Sequence, residues 1–331
     1  MSVMIPIASG KGGVGKSIFA VNLAIALAEQ GKSTVLVDLD LGGANLHTLL
    51  GIKNKHPGLG NLIYKTEPNL EALLVETGVP KLFFIPGDAL LPGTANLDFF
   101  TKQKIIRSVG ALVADYVVLD LGAGSTYNTV DFFLTASEGI VVTVPEITAV
   151  LNAYSFLKTT LFRALFRSFP PRGPERAMIV DFFSKKIEGT SDSLPLLKQR
   201  LLEQFPDRAK TALGQLTDLF PRIVINQGTS GKDVSVGVRL RDITARNLGL
   251  SIEYIGFIPR DPAVARSVVE RRPVLVASSQ SPYALTLRAI ARRITCAPAP
   301  RPPKLYQDNE DLLDVAEEGL SNLETPGETL L

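Results

Sequence analysis

Residues 9–17 read Ser-Gly-Lys-Gly-Gly-Val-Gly-Lys-Ser and contain the G-x-x-x-x-G-K-[ST] spacing of a phosphate-binding loop. In such a loop the backbone N–H groups point at one spot, where an anionic phosphate is held. The lysine that ends the pattern, Lys16, would reach the β- and γ-phosphates, and the hydroxyl of Ser17 would be a ligand of Mg²⁺. The pattern therefore predicts a site for a nucleoside triphosphate with Mg²⁺.

Apolar segments flank this loop on both sides. Val3–Ala8 precedes it and predicts a buried strand, whereas Ile18–Ala28 follows it and predicts a helix packed inside the domain. A helix that starts at the loop adds the positive end of its dipole to the phosphate site. This context favours a nucleotide site over a structural glycine-rich turn.

Two more apolar segments end in aspartates. A strand predicted over 33–37 leads into Asp38 and Asp40, and another apolar run leads into Asp120. Ligands of open α/β sheets bind at the carboxyl ends of the strands, so we expect these carboxylates near the phosphate loop. Asp120 would hold Mg²⁺ through water, and a carboxylate shortly after the end of a strand, such as Asp40, can hold an attacking water in line. In the alternative interpretation, the aspartates only cap the turns that follow the strands.

The second lysine of the loop, Lys11, is not needed by an ordinary phosphate loop. The segment around it resembles the deviant Walker A motif of the MinD/ParA family of P-loop ATPases. Later segments are similar to further motifs of that family, and they are most similar to its FlhG-like and MinD-like branch. The segments that carry the resemblance are 11–17, 35–46, 115–124 and 144–150.

The resemblance implies a role for each of these polar residues. The cofactors would be ATP and Mg²⁺, and two subunits would close face to face as a homodimer around the nucleotides. Lys11 would reach across the dimer to the partner's phosphates, and in the alternative interpretation it is a solvent-facing lysine at the loop tip. The predicted catalytic residues are Lys11, Lys16 and Asp40, and the predicted Mg²⁺ ligands are Ser17, Asp38 and Asp120.

Two later segments are expected to hold the base. Asn226 ends a predicted strand and matches the asparagine that reads adenine in the family, and a side-chain amide offers adenine both a donor and an acceptor. Pro259 and Asp261 resemble the family's Pro-x-Asp loop, which makes a second adenine contact. The residues predicted to bind ATP are Gly10, Lys11, Gly12, Gly13, Val14, Gly15, Lys16, Ser17, Ile18, Asn226, Pro259 and Asp261.

The elements that position these residues predict one α/β domain over 1–296. We expect a doubly wound, mostly parallel sheet of about seven or eight strands with helices on both faces. The segment of about 170–220 departs from the family pattern and predicts a helical insertion. This insertion either carries partner specificity or is a lid packed on the core. Residues 297–331 are predicted to be a proline-rich linker and an acidic tail that is partly helical or disordered.

Composition excludes several classes of protein. The only cysteine is Cys296, so the chain has no disulfide framework and no paired cysteines for an iron–sulfur carrier. No apolar run is long enough to span a bilayer and the first strand begins almost at Met1, so we expect a cytoplasmic protein without a leader. The net charge of +2 is uneven, because 297–331 hold two basic and eight acidic residues, a charge of −6, which leaves +8 on the body.

These observations predict a slow ATPase that acts as a dimerisation switch. A protein activator or cargo adaptor would read the dimer and so set the position or number of a cellular structure. The alternative is a ParA-type partitioning ATPase that binds DNA without sequence preference through arginines such as Arg239, Arg241 and Arg246.

The acidic tail has the wrong sign for direct binding to an anionic membrane. We therefore expect a partner to recruit the protein to a membrane or nucleoid surface. The acidic helix of the tail is expected to dock on the basic body of the protein or on a basic partner.

Overall fold

A computed structural model of the chain describes residues 2–53, 55–64, 66, 69–87, 97–185, 194–296 and 309–324. The described strands are β1 (Val3–Ala8), β2 (Thr34–Leu39), β3 (Val75–Glu76), β4 (Leu82–Ile85), β5 (Tyr116–Leu121), β6 (Ile140–Thr143), β7 (Arg222–Gly228) and β8 (Glu253–Pro259).

The described α-helices are α1 (Lys16–Glu29), α2 (Leu46–Leu49), α3 (Leu59–Ile63), α4 (Phe99–Ala111), α5 (Tyr127–Phe133), α6 (Ile147–Arg167), α7 (Pro174–Lys185), α8 (Leu194–Gln204), α9 (Pro206–Leu216), α10 (Val234–Leu248), α11 (Pro262–Glu270), α12 (Val274–Ala277), α13 (Pro282–Thr295) and α14 (Glu310–Glu324). Within these ranges, no helix is long and apolar enough to cross a membrane.

The described strands form one sheet in the order β3-β4-β2-β5-β1-β6-β7-β8. Neighbouring strands are parallel except for the pair β3–β4 at one edge. The central strands β2 and β5 are buried along their whole length, as expected for strands that helices cover on both faces. The doubly wound α/β class predicted from the sequence is confirmed.

Side chains of each strand alternate between two apolar cores, one on each face of the sheet. Leu36 of β2 joins the core under α1 and α13, whereas its neighbour Val35 joins the core under α5, α6 and α10. Almost every residue of α1 is buried. This rigid packing holds the phosphate loop, which lies between β1 and α1, at the carboxyl end of the central strands.

Three helices, α7, α8 and α9, lie in the segment that departs from the family pattern. Apolar side chains of α8 and α9 join the same core as α6, and they include Leu194, Leu197, Leu201, Ala209 and Ala212. The described part of this segment is therefore packed on the α6 face of the sheet.

One buried carboxylate, Asp131 of α5, ties α5 to α4 and α6. Its side chain is 4% exposed and accepts from Lys102 Nζ at 2.7 Å, from Arg163 Nε at 2.8 Å and from Arg167 Nη1 at 3.2 Å. Removal of one partner of a buried ion pair is costly because the remaining charges lose their counter-ion. This cluster therefore fixes the helix that follows the loop after β5.

We expect Asp131→Asn to lower the free energy of unfolding by about 3 kcal/mol, because three cations would then face one another without a carboxylate. Urea denaturation measures the change, and Asp218→Asn on an exposed aspartate is the matched control.

Burial would raise the pKa of Asp131, but Arg163 and Lys102 outweigh it and hold that pKa below its usual range. The stabilisation is therefore complete above the unfolded pKa, and the difference between the wild type and the variant should shrink below about pH 4. Equal stability of the wild type and the variant at neutral pH would contradict this.

The acidic tail helix α14 lies against β8, α10 and α13. Asp311 of α14 forms an ion pair with Arg241 of α10 at 2.6 Å, and Arg246 pairs with Asp242 at 3.3 Å within α10. Two of the three arginines that the sequence offered as DNA contacts therefore already pair with carboxylates.

Candidate nucleotide-binding site

The phosphate loop is shaped by glycines that no other residue could replace without strain. Gly13 and Gly15 have φ angles of 81° and 84°, in the left-handed region. A Cβ at Gly10 would lie 2.2 Å from the backbone of Asn152 in α6, so the loop is pressed against that helix. A Cβ at Gly12 or Gly13 would meet no described atom within 4 Å. The loop is therefore closed against α6 at Gly10 and open at Gly12 and Gly13.

A buried ion pair lies behind the loop. Lys16 Nζ donates to Asp120 Oδ1 at 2.6 Å and to Ser17 Oγ at 3.3 Å, and only 6% of the Lys16 side chain is exposed. Burial raises the pKa of Asp120, although the Lys16 ammonium acts in the opposite direction. Among the described residues, the buried Asp120 Oδ2 has no hydrogen-bond partner. An orphaned carboxylate oxygen beside a serine hydroxyl fits Mg²⁺, which prefers oxygen ligands and completes its shell with phosphates and water.

Asp38 lies directly beside Asp120, since the two residues face each other in the register of β2 and β5. Its carboxylate accepts from the backbone N–H groups of Asp40, Asn45 and Leu46 at 3.1–3.2 Å. Burial and the nearby charge of Asp120 raise the pKa of Asp38 to about 7. Asp38 is therefore next to the predicted Mg²⁺ site, and it also fixes the shape of the loop after β2.

Asp40 is half-buried in the loop after β2 and faces the loop after β5. A Cβ at Gly122 would lie 3.4 Å from Asp40 Oδ1, so these two loops touch where Asp40 and Gly122 meet. This position lets a single carboxylate contact both loops that follow the central aspartate-bearing strands.

Lys11 does not contact the Lys16–Asp120 pair in this structure. Its Nζ lies 2.5 Å from Glu146 Oε2 and 3.5 Å from Thr148 Oγ1, at the start of α6. Both partners of the Lys11–Glu146 pair are partly exposed, and exposed ion pairs contribute only about 0–1 kcal/mol. The ammonium is therefore held outside the pocket by a contact that is easily broken.

Asn226 connects the end of β7 to the phosphate loop. Its Nδ2 donates to the backbone oxygen of Val14 at 2.8 Å, and a Cβ at Gly15 would lie only 2.4 Å from that nitrogen. The next residue, Gln227, has a φ of 59°, which is uncommon for a residue with a side chain. Because an amide nitrogen carries two N–H groups, this bond uses only one of the two donors of Asn226.

The second predicted base contact, the loop with Pro259 and Asp261, makes hydrogen bonds within the protein itself. Pro259 ends β8, and Asp261 caps α11 by accepting from the Ala263 N–H at 2.8 Å. The other oxygen of Asp261 accepts from the Tyr283 N–H at 3.0 Å, at the start of α13. Asp261 therefore ties the loop after β8 to two helices.

The structure brings the predicted phosphate, Mg²⁺ and water-holding residues together at one end of β1, β2 and β5. Sequence reasoning left Glu146 without a role and did not single out Gln227. Glu146 is 135 residues from Lys11, so no local spacing could reveal their contact. The signals for Glu146 are the resemblance carried by 144–150 and its position three residues after the end of β6, at the edge of the sheet where ligands bind.

The chain is similar to known proteins in both sequence and fold. The CobQ/CobB/MinD/ParA nucleotide-binding domain model matches residues 5–274. The chain is 26% identical to the antiactivator FleN of Pseudomonas aeruginosa over 91% of this chain and 89% of FleN. It is 37% identical to the flagellum site-determining protein YlxH of Helicobacter pylori, over 46% of this chain and 52% of that protein.

The fold is also similar to a solved structure of the septum site-determining protein MinD of Pyrococcus horikoshii, complexed with Mg-ADP. The TM-score is 0.61 at 22% identity, and the match covers 89% of this chain and 96% of that one. At this identity the likeness concerns the fold alone.

Proposed function

We propose that this chain, which belongs to the CobQ/CobB/MinD/ParA nucleotide-binding family, is a slow ATPase that acts as an ATP-dependent dimerisation switch. MinD/ParA proteins are P-loop ATPases, and the resemblance drawn from the loop motif is confirmed. Two of the compared proteins are named for determining the site of a flagellum or a septum. Their names support a role in setting the position or number of a cellular structure.

One observation carries the proposal. The side chains of Lys16, Asp120 and Asp40 lie close together beside the phosphate loop. The buried Oδ2 of Asp120 has no hydrogen-bond partner among the described residues. A triphosphate in the loop would offer Lys16 a second anion and leave the carboxylate of Asp120 to face the metal. Ser17 and Asp120 would hold Mg²⁺, with Asp38 beside them. When bound, Mg²⁺ neutralises charge on the β- and γ-phosphates.

Asp40 would orient the attacking water. Its carboxylate lies where the loops after β2 and β5 meet, and it is close enough to Gly122 that a movement of either loop would displace it. A carboxylate in this position can accept a hydrogen bond from water and hold it in line with the γ-phosphate.

Asn226 would select adenine. One N–H of its Nδ2 donates to Val14, and the second N–H and Oδ1 would offer the base a donor and an acceptor together. The exocyclic amine of adenine is a donor and the ring nitrogen beside it is an acceptor, so adenine matches this pair of groups. ATP is therefore the expected substrate.

Lys11 would change partners when ATP binds. Its ion pair with Glu146 is weak and partly exposed, so the ammonium is released at small cost. In the closed homodimer Lys11 would contact the triphosphate of the partner subunit, and hydrolysis would remove that contact. A protein activator or cargo adaptor would read the closed form and raise the turnover.

The experiment that tests ATPase activity measures phosphate release from ATP by the purified protein. We expect turnover on the order of 10⁻² per second or slower, as for switch NTPases without an activator, and no turnover when Mg²⁺ is chelated. Lys16→Ala should slow it at least about hundredfold, because it removes charge stabilisation at the phosphates. Lys210→Ala, on an exposed face of α9, is the matched control. Wild-type protein that neither binds nor cleaves ATP would contradict the proposal.

A further inference from the structure

The tail helix α14 covers the outer edge of the sheet. In the described strand order β8 is an edge strand, whose outward N–H and C=O groups have no neighbouring strand. Asp311 accepts from the Tyr254 N–H of β8 at 2.8 Å and from Arg241 at 2.6 and 2.7 Å. The side chains of Leu312, Val315 and Ala316 are buried against the body. The helix is therefore docked by both apolar burial and a buried ion pair.

Glycines allow α14 to approach the body very closely. A Cβ at Gly319 would lie 2.0 Å from the backbone oxygen of Phe257 in β8. A Cβ at Gly237 of α10 would lie 2.7 Å from a methyl group of Leu312. Since a Cβ does not fit at either position, α14 lies against the strand with backbone touching backbone.

A continuous packed path leads from α14 to the nucleotide site. Gly319 lies directly against Phe257. The ring of Phe257 is in turn so close to Gly228 that a Cβ at Gly228 would be 2.2 Å from a ring carbon. Gly228 follows Asn226 by two residues, and Asn226 donates to Val14 of the phosphate loop at 2.8 Å. Each step is a direct contact or a short stretch of chain between packed elements. A displacement of α14 would therefore shift the end of β7, which carries Asn226.

We propose that α14 is a positioning element for the nucleobase, and that Gly319 is the residue through which it acts. The docked helix holds Phe257 and Gly228 so that Asn226 faces the base, whereas the groups that would bind phosphate, Lys16 and the loop N–H groups, belong to the segment from the end of β1 to the start of α1. A ligand that has a base is therefore expected to be more sensitive to the docking of α14 than a ligand made only of phosphate. This inference rests on the proposed nucleotide site.

The test compares ADP with inorganic pyrophosphate, both with Mg²⁺, by calorimetry on the full chain. We expect Gly319→Ala to weaken ADP binding about tenfold and to change pyrophosphate binding by less than about twofold. Alanine favours a helix more than glycine does, so a variant that acted only by stabilising α14 would strengthen ADP binding and not weaken it. Glu317→Ala, on the exposed face of the same helix, should change neither affinity.

A second variant that ends after residue 308 removes α14 altogether, and it should show the same loss of ADP affinity with the pyrophosphate affinity retained. Retained pyrophosphate binding also reports that the site is folded. Unchanged ADP affinity in Gly319→Ala, or an equal loss for both ligands, would overturn the proposal. Wild-type protein that binds neither ligand would instead remove the nucleotide site itself, and this inference with it.

Discussion

Lys11→Ala should bind ATP normally but remain monomeric in its presence. Lys11 lies outside the pocket on Glu146 and Thr148, whereas the phosphate cradle depends on Lys16, so its removal leaves the ATP site of its own subunit intact. In the closed dimer, the loss of one charge-assisted contact at each of two buried triphosphates should cost about 3 kcal/mol or more. The dissociation constant of the dimer would then rise more than about a hundredfold.

Sedimentation velocity with a non-hydrolysable ATP analogue measures the dimer, and calorimetry measures nucleotide binding. Lys210→Ala is again the control, since that lysine is exposed on α9. Two results would refute the role given to Lys11. One is a Lys11→Ala dimer as tight as that of the wild type, and the other is loss of nucleotide binding by the single subunit.

Asp40→Ala should bind ATP and release almost no phosphate. In the proposal the carboxylate orients the attacking water, and a positioned group that also accepts a proton from that water contributes about 10²–10⁴-fold to the rate. The matched variant Asp40→Asn keeps the size of the side chain and can still contact the Gly122 loop, but it is a poor acceptor for the proton of water. We expect both variants to be slow in single-turnover hydrolysis assays. Full activity in Asp40→Asn would mean that Asp40 acts by shape and not as a base.

The phosphate loop and the strands around it could be predicted because their information is local. The loop motif, the apolar runs and the aspartates at the ends of β2 and β5 lie within short stretches, and parallel strands bring their carboxyl ends to one edge. Even so, α1 begins at Lys16, two residues before the predicted start, because Gly15 in the left-handed region begins the helix directly at the loop. The sequence pattern does not show such a cap.

Contacts between distant parts of the chain could not be predicted. The bond between Asn226 and Val14 spans 212 residues, and the cluster around Asp131 joins residues 29 to 36 apart on three helices. The sequence predicted a tail over 297–331 that is partly helical or disordered, and the structure has a helix there at Glu310–Glu324. Its place on β8 depends on Gly319 and Gly237, which carry no pattern of their own. The predicted domain boundary at 296 and the partner role of the insertion remain predictions.

The most direct test of the switch is the mass of Asp40→Ala in solution, measured by size-exclusion chromatography with light scattering. Because this variant should bind ATP without cleaving it, its dimer should persist long enough for its mass to be measured. With ADP we expect the mass of one chain, 35.7 kDa, and with ATP and Mg²⁺ about twice that mass. A single-chain mass under saturating ATP would contradict the account.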